Sequence, residues 1–153
     1  MLLGVERRAR LIGVNHVALE VGDVDAALAL YARLFDFELR GRMPGAAFID
    51  MGDQFIALMQ GRRQAGDDER HFGLVVDDIA AVRAAVEREG LTIVHPGARG
   101  LDFLDPWGNH FQIVAYEAIQ FERSPGVKRK LGIEALEKSG KARAEIADRG
   151  LSA

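Results

Sequence analysis

Two histidines open matching stretches of this chain: His16 in HVALEVGDVDAALALYAR and His71 in HFGLVVDDIAAVRAAVER. The stretches align without gaps at an offset of 71 − 16 = 55 residues. Side chains alternate between the two faces of an extended strand. In the first stretch Val17, Leu19 and Val21 share a face suited to packing under a helix, and His16 and Ala18 take the other. In the second, Phe72, Leu74 and Val76 repeat the apolar set, and His71 and Gly73 repeat the opposite one. Both imidazoles are therefore expected on the face turned away from the helices. The same offset carries Ala57 to Gln112, since 57 + 55 = 112, within the similar patterns FIAL and HFQI. Symmetry nominates four inward positions, His16, Ala57, His71 and Gln112, and three of them carry side chains able to ligate a metal. Imidazole nitrogen suits Zn, Fe, Mn, Ni or Co, and an amide oxygen can complete a weak face. A single strand histidine is read first as a hydrogen-bonded core or surface residue, and it is the pairing that favours ligation.

The elements that must hold these residues repeat as well. Each half begins with a strand, near 13–21 and 72–76. Asp23 and Asp78 then stand where helix N-caps belong, because a short carboxylate can accept from the free amides of a first turn. Val24, Ala27, Leu28, Tyr31 and Leu34 recur at helical spacing, as do Ile79, Val82, Ala85 and Val86. Three shorter strands follow in each half, near 38–42, 47–51 and 54–60, then near 91–95, 101–105 and 110–116. Turn residues separate them: Met43-Pro44-Gly45, Gly52-Asp53, Pro96-Gly97 and Asp105-Pro106-Trp107-Gly108. The expected organisation is a single domain over 11–116, with module one at 11–60, a polar linker at 61–70 and module two at 71–116. A charged tail covers 117–153. In the tail Ile133, Leu136 and the Ala142–Ile146 segment suggest two short helices separated by Ser139-Gly140.

Composition narrows the classes. A chain of 153 residues with 48% hydrophobic and 28% charged residues is ordinary for a globular domain. A formal net charge of −3 gives no nucleic-acid footprint. The absence of cysteine excludes disulfides, thiolate metal sites and cysteine nucleophiles. No run approaches the ~20 apolar residues that span a bilayer, and MLLGVERRARLIGVNH has no signal-peptide pattern. A cytoplasmic location is the expectation.

The run NHVALEVGDVDAALALYARLF, then HFGLVVDDIAAV, then FLDPWGNHFQIV resembles the vicinal oxygen chelate superfamily of glyoxalases, bleomycin-resistance proteins and extradiol dioxygenases. The resemblance covers about residues 11–116 and leaves the tail uncovered. It implies an α+β fold of two βαβββ modules, forming a cupped, mostly antiparallel sheet with helices outside. Its members usually read DPDGN-x-x-E where this chain reads Asp105-Pro-Trp-Gly-Asn109 and then Gln112. The Glu of that pattern is a metal ligand, and the other usual ligands match His16 and His71. The position of a further ligand is Ala57 here, so the implied set is His16, His71 and Gln112 with water. Gln112 removes a negative charge from this set, and hard divalent cations depend on such oxygens. A fosfomycin transferase is not expected, because its Glu ligand and its basic anion-binding cluster are missing.

Inward parity also gathers Phe55 and Met59, with His110 at the cup mouth, as residues to contact a substrate, and Phe48 and Phe103 are candidates for the same wall. Glu20 shares the parity but lies near the strand end. Arg40 and Arg42 could bind a substrate anion. No side chain is nominated as acid or base. Two functions remain open. One is a metal-dependent enzyme acting on a small substrate chelated through adjacent oxygens. The other is a metal-free, drug-sequestering module of the bleomycin-resistance type. A homodimer is expected in either case, with the tail docking slightly preferentially on the partner.

Overall fold

A computed structural model of the chain describes residues 14–95 and 100–151. The Pro96-Gly97 turn and Gly13 lie outside the described residues. Module one runs β1 (His16–Val21), α1 (Val24–Leu34), β2 (Leu39–Met43), β3 (Ala46–Asp50) and β4 (Phe55–Gln60). Module two repeats it with β5 (Phe72–Val76), α2 (Ile79–Arg88), β6 (Thr92–Val94), β7 (Leu101–Leu104) and β8 (His110–Ala115). The fold is α+β with two βαβββ modules, as expected. Its strands form two separate four-stranded sheets, ordered β1-β4-β3-β2 and β5-β8-β7-β6. In each, the first strand runs parallel to the last and the other neighbours are antiparallel.

Both helices start as their sequence requires. Asp23 Oδ1 accepts from the amide of Ala26 at 2.7 Å, and Asp78 Oδ1 accepts from that of Ala81 at 3.0 Å. Val24, Ala27, Tyr31 and Leu34 make the buried stripe of α1, and Val82, Ala85 and Val86 that of α2. These stripes and the helix-side residues of both sheets form one core, from Leu19, Val21, Ile56 and Leu58 to Leu101, Phe103, Phe111 and Ile113.

The Asp105–Asn109 turn joins the modules. Asp105 Oδ2 accepts from the Tyr31 hydroxyl at 2.6 Å and from Asn109 Nδ2 at 2.8 Å. Its other oxygen accepts from the amides of Trp107 and Asn109. Asn109 Nδ2 also donates to the Glu20 carbonyl at 3.0 Å, and Arg62 donates to Asn109 Oδ1 at 2.6 Å. Burial first, then the adjacent Asp105, pushes the Tyr31 hydroxyl far above its ordinary pKa, so it stays a donor. Gly108 has φ 80°, and a Cβ there would come within 2.6 Å of Gly66 Cα.

The tail forms α3 (Pro125–Leu131) and α4 (Gly140–Asp148), capped by Ser124 and Ser139. The first helix lies earlier than Ile133 and Leu136 suggested, because Pro125 starts it and Gly132, in the left-handed conformation, ends it. The tail makes contacts with its own chain. Arg123 is buried and reaches the Met51 carbonyl at 2.8 Å, Gln54 at 3.1 Å and the Asp53 carboxylate. Lys130 pairs with Asp50 at 2.7 Å. Lys138 donates to the carbonyls of Tyr116, Ile119 and Phe121, with its ammonium 3.5 Å from the Tyr116 ring centre. The hydrogen-bonding groups left at the end of the strands thus find partners locally.

Candidate functional site

The ladders fix which side chains leave the core. In sheet one His16 pairs with Phe55, Ala18 with Ala57, and Ala57 with Phe48, so these residues share the open face. In sheet two Gly73 pairs with Gln112, and Gln112 with Asp102. His110 shares that face, two residues before Gln112, and His71 precedes β5 in the same alternation.

The open face of sheet one is aromatic. His16 stacks on Phe55 with ring centres 4.7 Å apart, and Phe48 meets Phe55 edge-on at 5.9 Å. The Arg40 guanidinium lies 4.7 Å from the Phe55 ring centre and also donates to the Gly52 carbonyl. Arg42 pairs with Asp25, so both strand arginines already have partners. Met59 is 41% exposed, and Ala57 is buried. His16 Nδ1 lies 2.8 Å from Asn15 Oδ1.

The open face of sheet two is polar and ionisable. His71 Nδ1 donates to the Glu69 carbonyl at 2.8 Å, which leaves Nε2 as the ring's acceptor. Its ring centre is 5.2 Å from that of His110, and His95 lies 6.0 Å from His110 on the other side. His95 has φ 48°, uncommon for a residue with a Cβ. His110 was expected at the cup mouth as a ligand contact. It is instead buried at 2% exposure and spans from the Asp68 carbonyl (2.7 Å) to Asp102 Oδ2 (2.9 Å). Both nitrogens are engaged, so it braces the wall.

Asp102 was not singled out by the sequence. It is 6% exposed, and its second oxygen, Oδ1, is buried without a hydrogen-bond partner. Phe103, expected on the open wall, is fully buried in the core, stacked 5.1 Å from Phe111. Alternation then places Asp102 opposite. A signal was present in Leu101-Asp102-Phe103, where a carboxylate interrupts an apolar strand.

The nominated ligands divide between the two sheets, with His16 on the open face of sheet one. His71 and Gln112 share the face of sheet two. Asn109, which directly precedes β8, binds the Glu20 carbonyl near the end of β1. His16 stands at the opposite end of that strand, about 13 Å away by strand rise. Among the described residues, no group of three or more His, Asp or Glu side chains within the chain could hold a metal ion.

A family profile for the Glyoxalase/Bleomycin resistance protein/Dioxygenase superfamily matches residues 13–113. No curated protein matches the chain. Among solved structures, the chain is similar to the fosfomycin resistance protein FosX from Mesorhizobium loti, at 23% identity and TM-score 0.58, covering 68% of this chain and 92% of that one. It is also similar to a mutant FosX from Listeria monocytogenes complexed with Mn(II) and 1S,2S-dihydroxypropylphosphonic acid, at 16% identity and TM-score 0.60, covering 68% and 90%. A putative glyoxalase family protein from Bacillus anthracis matches at 18% identity and TM-score 0.58, covering 71% and 98%. At these identities the structural likeness speaks for the fold, and the sequence profile speaks for the family: the chain belongs to the Glyoxalase/Bleomycin resistance protein/Dioxygenase superfamily.

Proposed function

We propose that this protein is a metal-dependent enzyme of the glyoxalase/dioxygenase type, acting on a small oxygen-rich substrate chelated through adjacent oxygens. The observation that supports it most is shared by both first-strand histidines. Each has Nδ1 against an oxygen acceptor, Asn15 Oδ1 for His16 and the Glu69 carbonyl for His71. This contact selects the tautomer whose Nε2 lone pair is free, which is the form a metal-binding imidazole needs. Gln112, half-buried on the face of His71, would add its amide oxygen. The Mn(II) in the similar FosX complex is in keeping with this reading.

The sites are shared between two copies in a homodimer. His16 of one copy would meet His71 and Gln112 of the other, with sheet one and sheet two closing a cup across the interface. Lewis-acid polarisation of adjacent substrate oxygens is the chemistry that a divalent ion (Zn, Fe, Mn, Ni or Co) would supply there. The residues of the chain would orient the substrate. His71 and Gln112 hold its oxygens' side, and the Phe48, Phe55 and Met59 wall of the other copy excludes water from its apolar side.

The aromatic wall favours the second reading, a flat ligand sequestered without metal. Metal analysis of tag-free protein purified without chelator separates the two. The enzyme reading expects about one bound ion per chain, lost in both His16→Ala and His71→Ala. Equal, negligible metal in all three proteins would leave the sequestering module.

A further inference from the structure

An amide ligand has a difficulty that a carboxylate lacks. Its oxygen can face a cation only if its NH2 group points elsewhere and finds an acceptor, because a free amide can turn its hydrogens toward the ion. The structure offers one such acceptor. Asp102 is the direct cross-strand partner of Gln112 on the same face, and facing side chains have Cβ atoms about 4.5–5.5 Å apart. Its Oδ1 is buried and has no hydrogen-bond partner, while Oδ2 is held by His110, itself fixed on the Asp68 carbonyl. A buried carboxylate oxygen without a donor is costly, and the Gln112 amide is the donor that the ladder places opposite it.

We propose that Asp102 is the positioning residue for Gln112: its Oδ1 accepts from Gln112 Nε2, turning Gln112 Oε1 toward the cup. The proposal rests on the metal reading above. It explains how Gln112 serves where the family pattern has Glu. His110 takes part by keeping Oδ2 occupied, so that only Oδ1 is available to the amide. Module one has no counterpart, since Phe48 stands opposite Ala57.

The test uses Mn(II) alone as the probe, titrated into full-length wild type, Asp102→Asn, Gln112→Glu and the double variant. Asparagine can still meet His110 through its oxygen but presents no second acceptor to Gln112. Asp102→Asn should weaken Mn(II) binding about 10–100-fold. Adding Gln112→Glu should restore it, because a carboxylate needs no partner to orient it, and that gain should exceed the gain from Gln112→Glu in the wild-type background. A second measurement needs no variant to fold. In metal-free wild type, one Gln112 side-chain amide proton should be shifted downfield and exchange slowly in a 15N–1H spectrum. An unshifted, fast-exchanging amide overturns the proposal. Unchanged Mn(II) affinity in Asp102→Asn overturns it too, as does a loss that Gln112→Glu fails to rescue. If His71→Ala, titrated alongside these proteins, abolishes Mn(II) binding, the metal reading survives this failure. Wild type that binds no Mn(II) overturns both.

Discussion

Module one and module two share a fold and differ in what they turn to the open face. The offset of 55 that pairs His16 with His71 also pairs Phe55 with His110 and Ala57 with Gln112. His16 stacks on Phe55 at 4.7 Å, and in the same place His71 approaches His110 at 5.2 Å. Phe48 meets Phe55 edge-on, where Asp102 bonds His110. A wall of apolar rings in one module thus stands against a wall of imidazole, carboxylate and amide in the other. The helix sides show no such divergence, for both are buried aliphatic and aromatic layers in one core. Packing constrains that side, because volume changes in a close-packed interior are felt at once. The open side can diverge, and here one half carries apolar rings and the other imidazole, carboxylate and amide groups.

The first way to break this comparison is to attack the shared core. Phe111 and its counterpart Ile56 are both nearly fully buried. Phe111→Ala should cost about 3–5 kcal/mol and Ile56→Ala about 2–5 kcal/mol in urea unfolding. If either change were silent, the modules would not share a core. The polar wall comes next. Asp102→Ala leaves His110 buried without its partner, and breaking a buried pair in this way typically costs about 3–5 kcal/mol. Replacing both with phenylalanine, in imitation of module one, should recover much of that stability while Mn(II) binding stays lost. A double variant that still binds the ion would show that the polar wall is not what distinguishes module two.

Smaller effects sharpen the likeness of the modules. Asp23→Ala and Asp78→Ala should each cost about 0.5–2 kcal/mol, because each removes a helix cap with the same geometry. A variant with unchanged stability and abolished metal binding would make its Asp functional. The smallest effect belongs to the tail. Hydrogen bonding from Lys130 holds the Asp50 carboxyl below its ordinary value. That contribution is complete above the unfolded-state value, 3.8, and is lost as the pH falls through the lower folded value. The acid limb of a stability–pH curve should therefore flatten slightly in Lys130→Ala, and an unchanged limb would mean that the pair contributes nothing. Truncation after Phe121 should lower stability and leave dimer affinity in place, since Arg123 and Lys130 hold their own chain.

The sequence makes the fold legible where two constraints agree. The gapless repeat, the Asp caps and strand alternation together define βαβββ modules, and the family pattern around Asp105 supports them. The site is legible only in part. Residues His71 and Gln112 follow from parity on strands whose register the offset preserves. The β3 and β7 strands slip by one: Phe48 faces Ala57 and Asp102 faces Gln112, a separation of 102 − 48 = 54 rather than 55. One residue of slip exchanges the faces of a strand. It sends Phe103 into the core and brings Asp102 out, which no reading based on a constant offset can find. The Asn109–Glu20 contact joins the modules, and local pattern carries no trace of such a long-range bond.

The central claim is that one site takes His16 from one copy and His71 with Gln112 from the other. Mixing separately purified His16→Ala and His71→Ala proteins under conditions that exchange subunits tests it directly. Each variant alone should bind no Mn(II). In a mixed dimer, the intact His16 of one copy meets the intact His71 of the other and rebuilds one of two sites. An equal mixture should therefore recover about a quarter of the wild-type metal, in step with the mixed-dimer fraction. A mixture that binds no more than its components, although mixed dimers form, would contradict the account.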